Sequence, residues 1–96
     1  MPLSAADAAG RICEAAAHLD VGLMVYNAVL SEPGPFLRQR PDVLNRLIAT
    51  NCTAPLLLCS GFAERMARRG SGGIVLMSSM SGFQGTPYVA AYAASK

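Results

Sequence analysis

Two short apolar runs stand on either side of a long stretch of helical periodicity, and no other feature of the chain constrains its fold as tightly. The first run, Val21 to Ala28, follows Asp20 and gives way to a loop over 31–41 that holds three prolines and a glycine. The second, Ile74-Val75-Leu76-Met77, follows Gly72-Gly73 and ends in Ser78-Ser79. Continuous apolar runs of this length fit strands buried on both faces, as in a parallel sheet. Strands over 21–28 and 73–78 are expected. Between them, from Asp42 onward, apolar residues fall at 43, 44, 47, 48, 52, 55, 58, 59, 62 and 66. This spacing predicts a helix over 42–69 capped by Gly70. Two parallel strands joined by a crossover helix form a right-handed βαβ unit.

The flanks extend this core. Ser4-Ala5-Ala6-Asp7 has the form of a capping-box start. Ala8, Ile12, Ala15, Ala16 and Leu19 then recur at helical spacing, which predicts a helix over 5–18 with a weak point at Gly10. Residues 80–86 read as a loop. Thr86-Pro87 reads as the N-cap and first position of a last helix running to Lys96. The fold class is α/β: a partial Rossmann-like, doubly wound fold with a βαβ core of two adjacent parallel strands and flanking helices. With 52% hydrophobic and only 15% charged residues, much of the surface is expected to be covered, by further chain or by a partner.

Charge and cysteines exclude several functions. A net charge of +2 is too small for a nucleic-acid footprint. The one basic cluster, Arg65, Arg68 and Arg69, reads as a solvated helix end that complements the dipole. The uncharged stretches 47–63 and 70–95 are interrupted by polar residues, and Met1-Pro2-Leu3-Ser4 has no signal-peptide character. A cytoplasmic protein with neither membrane nor nucleic-acid partner is expected. Cys13, Cys52 and Cys59 form no C-x-x-C pair and His18 is the one histidine, so no metal site is expected and the thiols read as reduced.

The chemistry concentrates in four residues. Tyr92 and Lys96 lie four apart in a helical segment and share a face. An ammonium beside a phenol favours the phenolate, the form a proton acceptor needs. Ser79 follows the second strand, where ligand crevices of open α/β sheets lie, 13 residues before Tyr92. Asn51 falls on the buried stripe of the long helix, where an amide needs partners. Pro55 cannot donate to the carbonyl four residues back, which belongs to Asn51, so a kink and a freed backbone acceptor are expected there. Each residue also has a plainer reading: an amphipathic tyrosine beside a solvated lysine, a loop-capping serine, a core asparagine bonded to backbone.

Taken together, the segments resemble the short-chain dehydrogenase/reductase family. Gly73 to Gly82 followed by Tyr92-Ala-Ala-Ser-Lys96 is similar to its active-site strand and helix, and Asn51-Cys-Thr-Ala-Pro55 to its catalytic-asparagine segment. Asp20 to Ala28 resembles the strand ending in N-N-A-G, although Tyr26 replaces the first Asn and Val29 the Gly. The resemblance implies an oxidoreductase that moves a hydride between NAD or NADP and a small carbonyl or alcohol substrate. It implies Tyr92 as proton donor or acceptor, Lys96 as its activator, Tyr92 and Lys96 together as ligands of the cofactor ribose, and Ser79 as partner of the reacting carbonyl. The Asn51 carbonyl would hold a water in the proton relay, and Asn27 and Ala28 would line the cofactor site.

The family's T-G-x-x-x-G-x-G turn, which cradles the pyrophosphate, does not occur in these 96 residues. The chain is thus expected to be a fragment, 1–96, of one NAD(P)-binding Rossmann-type dehydrogenase domain, inactive by itself and able to form a homo-oligomer through the 42–69 helix. Two alternatives come from other classes. One is a non-catalytic remnant that associates with a full-length relative. The other is a serine hydrolase using Ser79, against which stands the absence of G-x-S-x-G and S-x-x-K motifs.

Overall fold

Pro55 shapes the longest element of the molecule. The computed structural model describes residues 2–85 and 87–96. Its elements are α1 (Ala8–Ala15), β1 (Leu23–Tyr26), a 3-10 turn (Phe36–Arg38), α2 (Pro41–Ile48), a π turn (Ala49–Thr53), α3 (Ala54–Arg69), β2 (Gly73–Leu76), a second 3-10 turn (Met80–Gly82) and α4 (Ala90–Ser95). From α2 through α3 the helix is continuous, 29 residues long. The disruption expected at Asn51 takes the form of the π turn: the Ala54 N–H donates to the Ala49 carbonyl, five residues back. Proline supplies no N–H to Asn51 and crowds the turn before it, and widening that turn relieves the conflict.

The buried face of this rod carries Val43, Leu47, Thr50, Asn51, Ala54, Pro55, Leu58, Phe62 and Met66. Ile48, which the periodicity assigns to the same stripe, is instead exposed. It sits about 100° around the helix from Leu47, outside a narrow stripe. By length and composition the rod could cross a membrane, but its buried face packs into the core of the molecule. Gly70 closes it in the left-handed conformation (φ 84°), and the N–H groups of Gly70 and Ser71 return to the Met66 carbonyl.

β1 and β2 pair in parallel, with Leu23 opposite Gly73, Met24 opposite Ile74, Val25 opposite Val75 and Tyr26 opposite Leu76. The expectation of strands buried on both faces is corrected. Met24 and Tyr26 are buried among Ala9 of α1 and Ala54, Leu58, Phe62 and Met66 of α3. Leu23, Val25 and Val75 lie exposed on the other face, which no element covers among the described residues. Alternation of side chains along a strand sends half of an apolar run to each face. These 96 residues furnish helices for one of them.

Both terminal helices are shorter than the periodicity suggests. α1 begins at Ala8, where Ala8 and Ala9 become buried, and the expected capping box over 4–7 is a set of turns with no side-chain cap at Asp7. α4 starts at Ala90, because Tyr88 adopts a positive φ of 66° and its carbonyl accepts from the Gly34 N–H. The assignment of Thr86 as N-cap falls outside the described residues.

The arginine cluster is more than a solvated helix end. Arg65 lies half-buried, and its Nη2 donates to the carbonyls of Ala16, Ala17 and Leu19 at 3.0, 3.3 and 2.7 Å. It satisfies the carbonyls that end α1 and hold its turn into β1. Arg69 pairs with Asp20 and donates to the carbonyls of Val21 and Ser71. Arg68 is a surface residue paired with Glu64 one turn away.

Candidate active site

Tyr26 and Leu76 end the two strands side by side, and a cavity of about 250 Å³ opens there. Tyr26, Asn51, Ser78, Ser95 and Lys96 form its polar lining, and Pro55, Leu76 and Met77 the apolar remainder. This is the C-terminal edge of the parallel pair, the place where open α/β sheets bind ligands. A second cavity of about 350 Å³, among Leu19, Asp20, Phe62, Arg65, Arg68 and Arg69, lies before the opposite end of β1. Its arginines are largely engaged with Asp20, Glu64 and backbone carbonyls.

Asn51 organises the first cavity. It is 7% exposed, and its side chain is fully engaged. The Leu30 N–H donates to Oδ1 at 2.8 Å, and Nδ2 donates to the Leu30 carbonyl at 2.8 Å and to Ser95 Oγ at 3.0 Å. Ser95 Oγ in turn donates to the Tyr92 carbonyl at 2.7 Å. The neighbouring Cys52 thiol donates to the Ser95 carbonyl at 3.5 Å. The π turn therefore grips both the segment after β1 and the helix that carries Tyr92.

Lys96 and Asn51 line the same cavity. The Lys96 ammonium donates to the Met77 carbonyl at 3.0 Å, and the Ser78 hydroxyl donates to the Lys96 carbonyl at 3.2 Å. The loop after β2 approaches closely at Gly82, where a Cβ would lie 2.6 Å from the carbonyl carbon and oxygen of Lys96. Only glycine permits that approach without moving backbone.

Ser79 is half-buried, and its Oγ accepts from the Ser81 N–H at 3.1 Å, which starts the 3-10 turn. Tyr92 is half-buried on α4. Neither belongs to the cavity lining, and among the described residues no hydrogen bond joins them. Asn27 is exposed just beyond β1, and Ala28 is half-buried.

Sequence reasoning passed over three residues of the cavity. Ser95 lies between Tyr92 and Lys96 in the helical segment; a buried Asn51 amide signals a need for partners but does not select this one. Ser78 is adjacent to the serine that the spacing selected. Tyr26 entered only as a departure from N-N-A-G. It is 7% exposed, its hydroxyl donates to the Thr50 carbonyl, and burial raises its pKa above the ordinary 10.0.

The comparisons bear on family and fold. A model of the short chain dehydrogenase family matches residues 3–96. Dehydrogenase/reductase SDR family member 7B of Bos taurus is 37% identical over 95 residues, covering 99% of this chain and 29% of that protein. The very-long-chain 3-oxoacyl-CoA reductase of Neurospora crassa is 35% identical over 88 residues, 90% of this chain and 26% of its own length. The crystal structure of a metagenomic short-chain oxidoreductase in complex with NADP superposes with a TM-score of 0.90 at 36% identity, over 99% of this chain and 44% of that one. The chain thus spans less than half the length of these relatives, and within that span it belongs to the short-chain dehydrogenase/reductase family.

Proposed function

We propose that these residues form the proton-transfer half of a nicotinamide-dependent oxidoreductase acting on a carbonyl or alcohol. The observation that carries the reading is the meeting of Asn51, on a proline-dictated π turn, with Lys96 in one cavity at the C-terminal edge of the sheet. The cavity suits the nicotinamide–ribose end of the cofactor. The Lys96 ammonium and the hydroxyls of Ser78 and Ser95 offer ribose partners beside the apolar side chains of Pro55, Leu76 and Met77. Bound there, the nicotinamide would supply or accept the hydride, which no side chain can do.

Tyr92 exchanges the proton with the substrate oxygen, Lys96 holds the nicotinamide ribose, and Ser79 donates to the reacting carbonyl. The Asn51 carbonyl, denied its helical donor by Pro55, is the acceptor of the relay that reaches Lys96. The pyrophosphate lacks a cradle in these residues. Gly70, Gly72 and Gly73 follow the C-terminal end of α3, where carbonyl dipoles disfavour phosphate. The chain alone is accordingly expected to bind NADH and NADPH weakly and to show no turnover, since an unoriented cofactor forfeits the proximity effect.

The test joins these residues to a Gly-rich first half taken from a family enzyme. Carbonyl reduction should appear and fall by about 10²–10⁴ in Tyr92→Phe. Undiminished turnover in that variant would remove Tyr92 from the mechanism. A second reading, a non-catalytic remnant that associates with a full-length relative, is favoured by Leu56 and Leu57, exposed at 70% and 48% on the long helix. Under it, the joined protein would bind no cofactor and the chain would co-purify with the relative.

A further inference from the structure

We propose that Tyr26 is a positioning residue for the Asn51 turn, its phenol holding the backbone carbonyl that the π turn releases. The assignment rests on the reading of the adjoining cavity as the active site.

Two successive carbonyls lose their helical donors in this segment. The Ala54 N–H, which an α-helix would direct to Thr50, is diverted to Ala49. Pro55 has no N–H to offer Asn51. Thr50 is only 8% exposed, and a buried carbonyl without a partner is costly. The Tyr26 hydroxyl takes it, reaching from the last residue of β1 to the helix. The next residue, Asn51, then presents its amide to Leu30 and Ser95, and its carbonyl is the relay acceptor of the proposed mechanism.

One phenol therefore ties the end of β1 to Thr50, the residue immediately before the one on which the relay depends. It does so at the position where the chain departs from N-N-A-G. The ring also lines the cavity, so the side chain that holds the turn borders the space where ligand would sit. Other titratable groups around Tyr26 are Cys13 of α1 and Cys59 of α3, packed against the same core, and Lys96 across the cavity.

The experiment reads the carbonyl directly in the full chain. Thr50-Asn51 is the one Thr–Asn step in the sequence. Carbonyl-¹³C threonine combined with ¹⁵N asparagine thus gives one coupled resonance, that of Thr50. In folded Tyr26→Phe this resonance should shift upfield, and exchange of the Asn51 side-chain amide should quicken, while amides at the α1–α3 contact keep wild-type protection. An unchanged Thr50 resonance overturns the proposal. So does uniform loss of protection throughout the chain, which marks a general packing role.

If Tyr26→Phe fails to fold, the double variant Tyr88→Phe/Tyr92→Phe keeps Tyr26 as the sole phenol. Its ionisation, followed by ultraviolet absorbance, should lie above the ordinary 10.0 and move the Thr50 carbonyl signal in step. Ionisation at the ordinary value with an indifferent carbonyl refutes the assignment. Neither readout needs cofactor or turnover. Failure of the hydride-transfer reading would thus leave the Tyr26–Thr50 result standing, and the converse also holds.

Discussion

Replacing Asn51 by alanine tests whether one buried amide holds three parts of the chain together. The side chain makes three hydrogen bonds, two to the Leu30 backbone and one to Ser95. A hydrogen bond contributes about 0.5–1.5 kcal/mol net, and a buried group left unpaired costs about 1–3 kcal/mol. Leu30 is half-buried, so water can recover part of the loss, and the expected destabilisation is about 2–4 kcal/mol. For a chain of 96 residues, ordinary stabilities run to about 5–14 kcal/mol, which makes the effect a large fraction of the total. Urea unfolding followed by circular dichroism should show a lower midpoint at unchanged m-value. Amide exchange should quicken first at Leu30 and along α4. In Asn51→Asp the carboxyl would face the Leu30 carbonyl, which favours its protonated form in the folded state. That variant should be relatively most stable below about pH 4, the unfolded carboxyl range, and weaken as pH rises through the higher folded value. A loss under about 0.5 kcal/mol in Asn51→Ala, within the range of ordinary surface substitutions, would refute the reasoning.

Four further outcomes follow from named contacts. Pro55→Ala restores an N–H opposite the Asn51 carbonyl. The π turn should relax toward α-helix, seen as a protected amide at position 55, and turnover of the joined enzyme should fall even where stability does not. Arg65→Met removes three bonds to the carbonyls of Ala16, Ala17 and Leu19 and should cost about 1.5–3 kcal/mol in urea unfolding; Arg68→Ala, a surface pair, should cost under about 1 kcal/mol. Gly82→Ala drives a methyl into the Lys96 backbone and should destabilise by about 1–3 kcal/mol, with Lys96 resonances displaced. Tyr26 is raised by burial, so its contribution to stability is complete below the unfolded value near 10 and is lost as pH rises through the folded value. Alkaline unfolding titrations should show that decline in wild type and lack it in Tyr26→Phe.

The βαβ order, the parallel pairing, the Gly70 cap and the interruption at Asn51 were legible because each rests on local chemistry. Periodicity reports helix, apolar runs report strands, glycine reports a left-handed cap and proline reports a missing donor. What escaped depends on contacts between distant segments. The role of Arg65 comes from carbonyls at the end of α1, which no pattern near residue 65 announces. The late start of α4 comes from the Tyr88 conformation and its bond from Gly34. Ser95 was overlooked because serine one residue before the lysine carries no signal until Asn51 is known to point at it. The open sheet face was hidden for a different reason. An apolar run reads as buried whether or not the same 96 residues supply both covers.

The way α4 is held bears on how the proposed site would work. The helix has six residues, far below the length that is stable alone, and none of them is buried. Ala91, Tyr92 and Ala93 are half-buried, so apolar packing holds it only in part. Polar contacts add to this: Asn51 to Ser95, the Cys52 thiol to the Ser95 carbonyl, Ser78 to the Lys96 carbonyl and the Lys96 ammonium to Met77. Hydrogen bonds are directional, so together they define the orientation of α4 closely, but each contributes only about 1 kcal/mol. An element held this way sits at the low-stability end of the molecule and opens locally before the core does. A ligand that bridges Lys96, Ser78 and Ser95 would add contacts to both sides of this junction. Its binding energy would then order the helix that carries the proposed proton donor, which couples ligand binding to assembly of the site.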